Sequence, residues 1–450
     1  MMEELLRETA ERAARYLAGL PGRDGAPTPA ALARLAELEG PLPTGPTDPA
    51  TVLALLDELG SPATIATAGP RFFGFVGGSL PAALAANWLA GAWDQDAGNV
   101  ATSPAGAALE AAALRWLLDV LGLPPDCAGA FVTGATMANF SALAAARHAV
   151  LARAGWDVEA DGLCGAPPVT VVVGAEVHPS VLKALGLLGL GRERVVRAPA
   201  DGQGRIRAEA LPPLDGPAIV CAQVGNVNTG ACDPVGEICA RVRGTGAWVH
   251  VDGAFGLWAA AAPARAHLVA GVAAADSWAT DAHKWLNVPY DSGLAFVRDG
   301  AALRAAMAAT AAYLPTSDVR QPDQYTPELS RRARGTEIWA ALRSLGRVGL
   351  ADLVERCCRH AARLADGLRE AGYDILNDVV LNQVLVAFGD DARTRRVIAG
   401  LQVDGTCWCG GTIWRGRAAM RISVSSWATT ADDIERSLAA ILRVAAATTA

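Results

Sequence analysis

Lysine is nearly absent from this 450-residue sequence. Only two of its 39 basic residues, Lys183 and Lys284, are lysine, and all the others are arginine. Arginine keeps its proton in proteins, whereas lysine can lose it and attack a carbonyl carbon. A lysine that persists in such a chain is therefore a candidate for a position where an unprotonated amine is required.

Long apolar runs, an excess of positive charge and regularly spaced cysteines are also absent. No run of about eighteen uninterrupted apolar residues occurs, so no membrane-spanning helix is expected. The net charge of −7 argues against a nucleic-acid partner. The nine cysteines are irregularly spaced, and Cys407 and Cys409 lack a second pair at zinc-site spacing, so neither a disulfide framework nor a metal site is predicted. Without a signal-peptide pattern, a soluble cytoplasmic protein is expected.

The order of helical and strand patterns predicts an α/β fold in three segments. Residues 1–80 carry short helical patterns without an obvious core of their own. In residues 81–335, strand patterns alternate with helical ones, which is typical of a mostly parallel central sheet flanked by helices. Residues 336–450 indicate a smaller C-terminal α/β domain. The predicted strands of the middle segment lie at 130–133, 169–173, 218–222, 248–252, 277–280 and 294–297.

Lys284 follows one of these strands, in the segment Ser277-Trp-Ala-Thr-Asp-Ala-His-Lys-Trp285. Ligands of parallel α/β sheets bind at the carboxyl ends of the strands. A lysine among apolar groups and beside a second cationic group, here His283, gives up its proton more readily than a solvated one. The segment suits a nucleophilic amine, and it also suits a lysine that reaches solvent from a strand end.

Asp252 ends another predicted strand, in His250-Val-Asp-Gly-Ala254. A buried carboxylate is costly without a partner, and a protonated pyridine nitrogen would supply one. A protonated pyridine ring stabilises a carbanion next to an imine. Small residues such as Ala254 would let a flat ring lie against the backbone. In isolation, Asp252 could also cap a turn.

Two further segments precede predicted helices and add groups that suit an anion and a proton transfer. Ala135 and Thr136 lie in a glycine-containing turn whose backbone N–H groups and hydroxyl suit a phosphate. His178 follows the strand at 169–173, where an imidazole could stack on a ring and transfer protons. Taken separately, the turn could be an ordinary helix start and His178 a structural residue.

The combination of these segments, in this order along the chain, resembles the group II pyridoxal-phosphate-dependent amino acid decarboxylases. This family includes the aromatic-amino-acid, glutamate and cysteine-sulfinate decarboxylases. The most specific pieces are His250-Val-Asp252 and His283-Lys284-Trp285 with their spacing, and the similarity runs from about Pro70 to the last helix. The resemblance implies fold type I, pyridoxal 5′-phosphate as cofactor, and a homodimer with shared active sites in which residues 1–80 take part in dimerisation.

The resemblance also implies a role for each matching residue. Lys284 would form a Schiff base with the cofactor, and an L-amino acid would lose CO2 through a quinonoid intermediate to give the amine. Asp252 would hold the pyridine nitrogen, with His178 on one ring face and Ala254 on the other. Tyr313, from a loop of the neighbouring subunit, would return a proton to the carbon. The other cofactor contacts implied are Ala135, Thr136 and His283, and the residue near the ring oxygen would be Asn226 or its neighbour Val227.

Departures from the family pattern leave the substrate open. Asp281 replaces the asparagine that many members have near the phosphate, where a carboxylate is unfavourable unless paired. Where aromatic-substrate members have bulky groups, this chain has Phe75-Val-Gly-Gly78, followed by Asp96 and Gly98. The substrate pocket lined by Phe75, Asp96 and Gly98 would then be less aromatic overall and would contain a carboxylate, which favours a polar or cationic side chain. Arg331 would lie near the substrate carboxylate or at the surface.

Alternatives to amine formation share the same fold, because a fold does not determine a reaction. They are a decarboxylation coupled to oxidative deamination that yields an aldehyde, a transamination and a carbon–carbon lyase reaction. Tyr313 favours the amine, since relatives with phenylalanine there tend toward the aldehyde. A non-catalytic, cofactor-stabilised binding dimer is the alternative outside enzymes, and Lys284, Asp252, His178 and Tyr313 together argue against it.

Overall fold

A computed structural model describes residues 2–74, 78–309 and 319–448 of the chain. Spatial contacts divide them into two compact units. The larger unit comprises Ser79–Arg359 and Asn377–Gln383, and the smaller one takes the described parts of Met1–Gly78, His360–Leu376 and Val384–Ala450. Residues near the two ends of the chain thus share one unit, whereas the sequence-based division placed them in separate segments because it followed chain order alone.

The larger unit is built on a seven-stranded sheet in the order β1-β7-β6-β5-β4-β2-β3. Its strands are β1 (Ala128–Val132), β2 (Thr170–Gly174), β3 (Val196–Ala198), β4 (Ala218–Gln223), β5 (Trp248–Asp252), β6 (Ser277–Asp281) and β7 (Gly293–Val297). β7 is antiparallel to both of its neighbours, β1 and β6, and the other pairs are parallel. Six of these strands therefore point the same way, and the predicted mostly parallel α/β sheet is confirmed.

The α-helices that lie wholly in this unit are formed largely from alanine and leucine, which are strong helix formers. They are α4 (Pro81–Trp93), α5 (Pro104–Val120), α6 (Ala135–Arg153), α7 (Val158–Asp161), α8 (Pro179–Leu187), α9 (Val235–Arg241) and α10 (Gly300–Met307). The helix α6 packs against β5, β6 and β7 and against α8 and α10. Its alanine-rich face is buried, so its N-terminal turn is held rigidly at the edge of the sheet.

The smaller unit contains a four-stranded sheet in the order β10-β11-β9-β8, with helices from both parts of the chain. Its strands are β8 (Asp374–Ile375), β9 (Gln383–Ala387), β10 (Gly410–Trp414) and β11 (Arg417–Ser423), and its helices are α1 (Met2–Gly19), α2 (Pro29–Arg34), α3 (Pro49–Ala63), α12 (Asp391–Asp404) and α13 (Ala431–Ala447). The helix α11 (Gly335–Glu370) is interrupted at Gly346, where φ is 59°, and contributes residues to both units.

A buried ion pair links two distant segments of the smaller unit. The Arg71 guanidinium donates to Asp433 Oδ1 at 2.9 Å and to the backbone oxygens of Pro21 and Thr406. Asp433 also forms a capping box with Thr430 at the start of α13, because each side chain accepts a hydrogen bond from the other's backbone N–H. One carboxylate therefore both caps a helix and anchors the segment around Arg71.

No helix among the described residues combines the length and the apolar character that crossing a bilayer requires.

Candidate active site

The carboxyl ends of five strands meet beside a cavity of about 290 Å³. The strands β1, β2, β4, β5 and β6 run in the same direction, so their last residues lie at one edge of the sheet. The segment that follows each of them contributes to the cavity wall, with Thr136, His178, Gly225, Asp252 and Lys284 among the lining residues. Residues from separate parts of the chain are thereby brought to one place.

Lys284 reaches this cavity from the turn after β6, with 23 % of its side chain exposed. Its Nζ lies 2.9 Å from Asp281 Oδ2. The other oxygen of Asp281 accepts the backbone N–H of Ala135 at 2.6 Å, at the start of α6. His283 Nε2 lies 3.7 Å from the same oxygen. The carboxylate that is unfavourable beside a phosphate is thus paired with the lysine and joined to the first turn of a helix.

Asp252 ends β5 and is buried, with 3 % of its surface exposed. Its Oδ1 accepts the backbone N–H of Ala254 at 3.2 Å, and its Oδ2 accepts the Asn139 amide at 3.4 Å. Burial raises the pKa of Asp252, while the positive charges of His178 and Lys284 lower it. A buried carboxylate of this kind is suited to hold a proton on a ligand nitrogen.

His178 caps the N-terminus of α8 and lines the same cavity. Its Nδ1 accepts the backbone N–H of Ser180 at 3.2 Å and lies 2.8 Å from the Ser180 hydroxyl. Two contacts to one ring nitrogen restrict the rotation of the imidazole. The ring is therefore held in a defined orientation at the cavity wall.

The end of the cavity beside α6 has the character of an anion site. Ala135 and Thr136 form the first turn of this 19-residue helix, whose backbone N–H groups and dipole favour negative charge. His283 lines the same end, its ring stacks on Tyr290 at 4.5 Å between centroids, and its Nδ1 accepts the Ser292 N–H. Burial lowers the pKa of His283. An amine, a buried carboxylate and an anion-binding turn thus lie on one cavity, which suits an aldehyde, a ring nitrogen and a phosphate of one cofactor.

A comparison with known protein families supports this chemical interpretation. Residues 61–389 match the family model described as the pyridoxal-dependent decarboxylase conserved domain. The chain belongs to this family. Its cofactor is accordingly pyridoxal 5′-phosphate, and the family is one of carboxy-lyases that act on amino acids.

Individual relatives carry names with different substrates. The chain is 30 % identical to L-2,4-diaminobutyrate decarboxylase of Rhizobium meliloti over 80 % of this chain and 74 % of that protein. It is 28 % identical to tryptophan decarboxylase 1 of Oryza sativa over 80 % of this chain and 77 % of that protein. An aromatic-L-amino-acid decarboxylase of Bacillus atrophaeus is 30 % identical over 53 % of this chain, but the match spans only 50 % of that protein.

Solved structures resemble the whole fold. The crystal structure of Oryza sativa TDC with PLP and tryptamine superposes with a TM-score of 0.91 at 23 % identity, over 99 % of this chain and 98 % of the other. Mouse CSAD gives a TM-score of 0.90 at 22 % identity, over 98 % of each chain. At these identities the likeness establishes the fold of the family for this chain.

Most cofactor residues expected from the sequence lie together on the cavity. Its lining includes Ala135, Thr136, His178, Asp252, Ala254, His283 and Lys284. Asn226 is placed differently: its Oδ1 accepts the N–H groups of Asn228 and Thr229 and so stabilises a turn. Its neighbour Val227 lines the cavity instead. Phe75 and Tyr313 lie outside the described residues.

The structure does not bring the other expected substrate residues to this cavity. Asp96 Oδ1 accepts the N–H groups of Gly98 and Arg331, each at 3.0 Å. The Arg331 side chain is fully buried and pairs with Glu110 at 2.8 Å. Within this chain, these contacts join the segment before α5 to the segment before α11.

Asn139 and Ser180 contact the site residues, although no sequence motif pointed to either of them. Asn139 lies four residues after Ala135, so it faces the same side of α6 as the first turn. Ser180 lies two residues after His178 at the start of α8. The helical periodicity from Ala135 was a signal that could have identified Asn139, whereas no pattern connects Ser180 to α6.

Proposed function

We propose that this protein converts an L-amino acid into its amine and CO2, with pyridoxal 5′-phosphate attached to Lys284. The observation that carries the proposal is the arrangement of Lys284, Asp252 and His178 around one cavity beside the first turn of α6. Family membership supports decarboxylation as the reaction class. The relatives are named for aromatic, acidic and diamino substrates, so the proposal stops at the class of L-amino acids.

Each group on the cavity has a place in holding the cofactor. Lys284 would bind the aldehyde carbon, Asp252 would keep a proton on the ring nitrogen, and the turn at Ala135 and Thr136 would bind the phosphate. Held by these residues, the cofactor would supply an electron sink for the pair that departing CO2 leaves on the α-carbon. His178 would restrict the ring from one face, and the small side chain of Ala254 leaves space on the other.

Protonation of the α-carbon requires a donor, which we assign to Tyr313 with help from His178. A phenol in this role would complete amine formation. Without it, the carbon would be open to two-electron oxidation by dissolved dioxygen, which would give the aldehyde, ammonia and hydrogen peroxide after hydrolysis. We therefore expect Tyr313→Phe to produce less amine and more aldehyde from the same substrate. An unchanged ratio of amine to aldehyde would contradict the role assigned to Tyr313.

The scarcity of lysine allows the attachment point to be identified directly. Borohydride reduction of the cofactor-loaded protein, followed by peptide mass spectrometry, should place the pyridoxyl group on Lys284 alone. Lys183 is exposed on α8 and is the matched control, so Lys183→Arg should label like the wild type and Lys284→Arg should not label. Label on Lys183, or an unlabelled wild type, would refute the proposal.

The reaction is tested by supplying single L-amino acids and measuring CO2, amine and aldehyde. Release of CO2 with an equal amount of amine supports the proposal, and Lys284→Ala should release none. An aldehyde or a keto acid as the main product would favour one of the alternative reactions on this fold. A cofactor-loaded protein that turns over no amino acid would favour a binding role.

We also propose a homodimer in which Tyr313 acts in the neighbouring subunit's site. Large apolar side chains on α4 are exposed to an unusual extent, with Trp88 at 45 %, Leu89 at 55 % and Trp93 at 45 %, and such surfaces mark contact sites. Mixing Lys284→Ala with Tyr313→Phe chains should restore amine formation, because one site of a mixed dimer would hold both residues. Failure to restore it in mixed dimers would place Tyr313 in its own subunit's site.

The nine free cysteines support a reducing, cytoplasmic location.

A further inference from the structure

A series of buried polar side chains lies behind the cavity, beneath Asp252. The Trp248 indole Nε1 donates to Ser277 Oγ at 2.8 Å, and this hydroxyl lies 2.9 Å from His250 Nδ1. On the other side of the ring, His250 Nε2 lies 2.9 Å from Asn139 Oδ1. Ser277, His250 and Asn139 are each 0 % exposed, so water cannot replace these contacts.

The series divides at Asn139 into two branches that end on two cavity residues. One branch runs from Asn139 Nδ2 to Asp252 Oδ2 at 3.4 Å. The other runs from Asn139 Nδ2 to Ser180 Oγ at 3.2 Å, and from Ser180 Oγ to His178 Nδ1 at 2.8 Å. A single amide group thus contacts Asp252 directly and His178 through Ser180.

The chemistry of the groups sets the direction of every hydrogen bond in the series. An amide oxygen only accepts, so His250 Nε2 must carry the ring proton. The ring is neutral, since burial lowers the pKa of His250 to about 3. His250 Nδ1 must therefore accept from the Ser277 hydroxyl, whose oxygen accepts from Trp248. The polar side-chain atoms of Trp248, Ser277 and His250 then all have hydrogen-bond partners.

The orientation of the Asn139 amide follows from the same reasoning. Turning the amide over would direct its oxygen at the Asp252 carboxylate, which only accepts when it is ionised. With the NH2 group toward Asp252 and Ser180, the Ser180 hydroxyl accepts from Asn139 and donates to His178 Nδ1. This nitrogen also accepts the Ser180 backbone N–H, so the proton of a neutral His178 lies on Nε2.

We propose that Asn139 is a positioning residue that orients Asp252 and His178 together, with His250 and Ser277 as its fixed anchor. The inference rests on the proposed function, because the two oriented residues are those assigned to the cofactor ring. Loss of the Asn139 amide should affect both branches. Loss of the Ser180 hydroxyl should affect only the branch to His178.

The test compares Asn139→Asp, Asn139→Leu and Ser180→Ala with the wild type. Asn139→Asp keeps the shape and can still accept from His250, but it replaces the donor toward Asp252 with a second acceptor. Asn139→Leu removes both contacts without adding charge. Ser141→Ala is the matched control, because Ser141 is buried on the same helix and donates only within it, to the Met137 oxygen. Thermal unfolding of each variant establishes that it is folded.

The measurements are cofactor affinity by fluorescence titration, the pH dependence of the visible absorbance of the bound cofactor, and kcat and KM. Both Asn139 variants should bind pyridoxal 5′-phosphate about tenfold more weakly or worse, and should shift the pH titration. Ser180→Ala should bind the cofactor with an affinity within about twofold of that of the wild type, and the pH titration of the absorbance should not shift. Its kcat should fall while its KM stays unchanged. Ser141→Ala should match the wild type throughout.

Two results would overturn the inference. One is wild-type affinity and titration in a folded Asn139→Asp protein, and the other is a Ser180→Ala protein that loses as much affinity as Asn139→Asp. Failure of the proposed function is distinguishable, because it would appear in the wild type as an unlabelled Lys284 before any of these variants is compared.

Discussion

Replacing Arg331 by methionine should destabilise the larger unit without changing the affinity for substrate. The guanidinium is fully buried and donates to Glu110 Oε2 at 2.8 Å, to the Phe131 oxygen at 2.8 Å and to the Ala97 oxygen at 3.2 Å. Glu110 is 2 % exposed. Methionine has a similar length and no charge, so the change removes the ion pair and leaves the packing largely in place.

The magnitude follows from the partners that remain. Removing one member of a buried ion pair costs about 3–5 kcal/mol, because the other charge is left without compensation. Here Glu110 keeps one partner, since Arg320 Nη1 lies 3.0 Å from its Oε1. We therefore expect the lower end of that range, about 3 kcal/mol, for Arg331→Met.

Urea unfolding of the cofactor-loaded protein measures this cost, and steady-state kinetics measures KM on the folded enzyme. The control is Arg347→Met in the same unit, whose ion pair with Asp119 is more than half exposed on both sides. Its loss should change the free energy of unfolding by at most about 1 kcal/mol. An Arg331→Met protein that unfolds at the wild-type urea concentration but has a strongly raised KM would refute the reasoning and place Arg331 near the substrate.

Three further predictions concern separate parts of the chain. Asp281→Asn should bind pyridoxal 5′-phosphate about tenfold more tightly in a fluorescence titration, because it removes a negative charge beside the first turn of α6. Unchanged or weaker binding would show that this carboxylate does not repel the phosphate. Asp433→Asn should cost about 1–2 kcal/mol at pH 7 in urea unfolding. Burial raises the pKa of Asp433, but hydrogen bonds from Thr430 and Arg71 outweigh burial and leave the pKa below its usual 3.8. The ionised form of Asp433 therefore stabilises the fold above pH 3.8. The difference in the free energy of unfolding between wild type and Asp433→Asn should shrink as the pH falls below 3.8, and a constant difference would contradict this. Ellman's reagent should modify one thiol rapidly in the native protein, and Cys164→Ser should abolish that phase, because Cys164 is the exposed cysteine of the nine.

Strand and helix positions were predictable where the pattern was local. The predicted strand at 248–252 coincides with β5, and the strand at 277–280 ends one residue before β6 does. Thr430 and Asp433 form the capping arrangement that their spacing suggests. Buried strands and helix caps depend on residues a few positions apart, so a single sequence contains the information that forms them.

The group of site residues was predictable for a related reason. Asp252 ends a strand and Lys284 and His178 each follow one, and parallel strands place such residues at one edge of a sheet. Asn226 was harder to place, because a turn can point either of two neighbouring side chains at the cavity. The backbone hydrogen bonds of the turn use Asn226, and Val227 faces the cavity.

The sequence by itself determined the α/β class, the scarce lysine and the order of motifs that identifies the family, because these depend on composition and on short-range periodicity. Only the tertiary structure decided that Asp281 pairs with Lys284, that Arg331 neutralises Glu110 and that Asn139 links His250 to Asp252. The pairs made by Arg331 and Asn139 join residues more than 100 positions apart, and the Asp281 pair depends on how the turn after β6 is held. Packing of α6 against the sheet helps to determine which polar groups lie close together. Burial makes these contacts important for stability, since a buried charge or amide needs a partner within the fold.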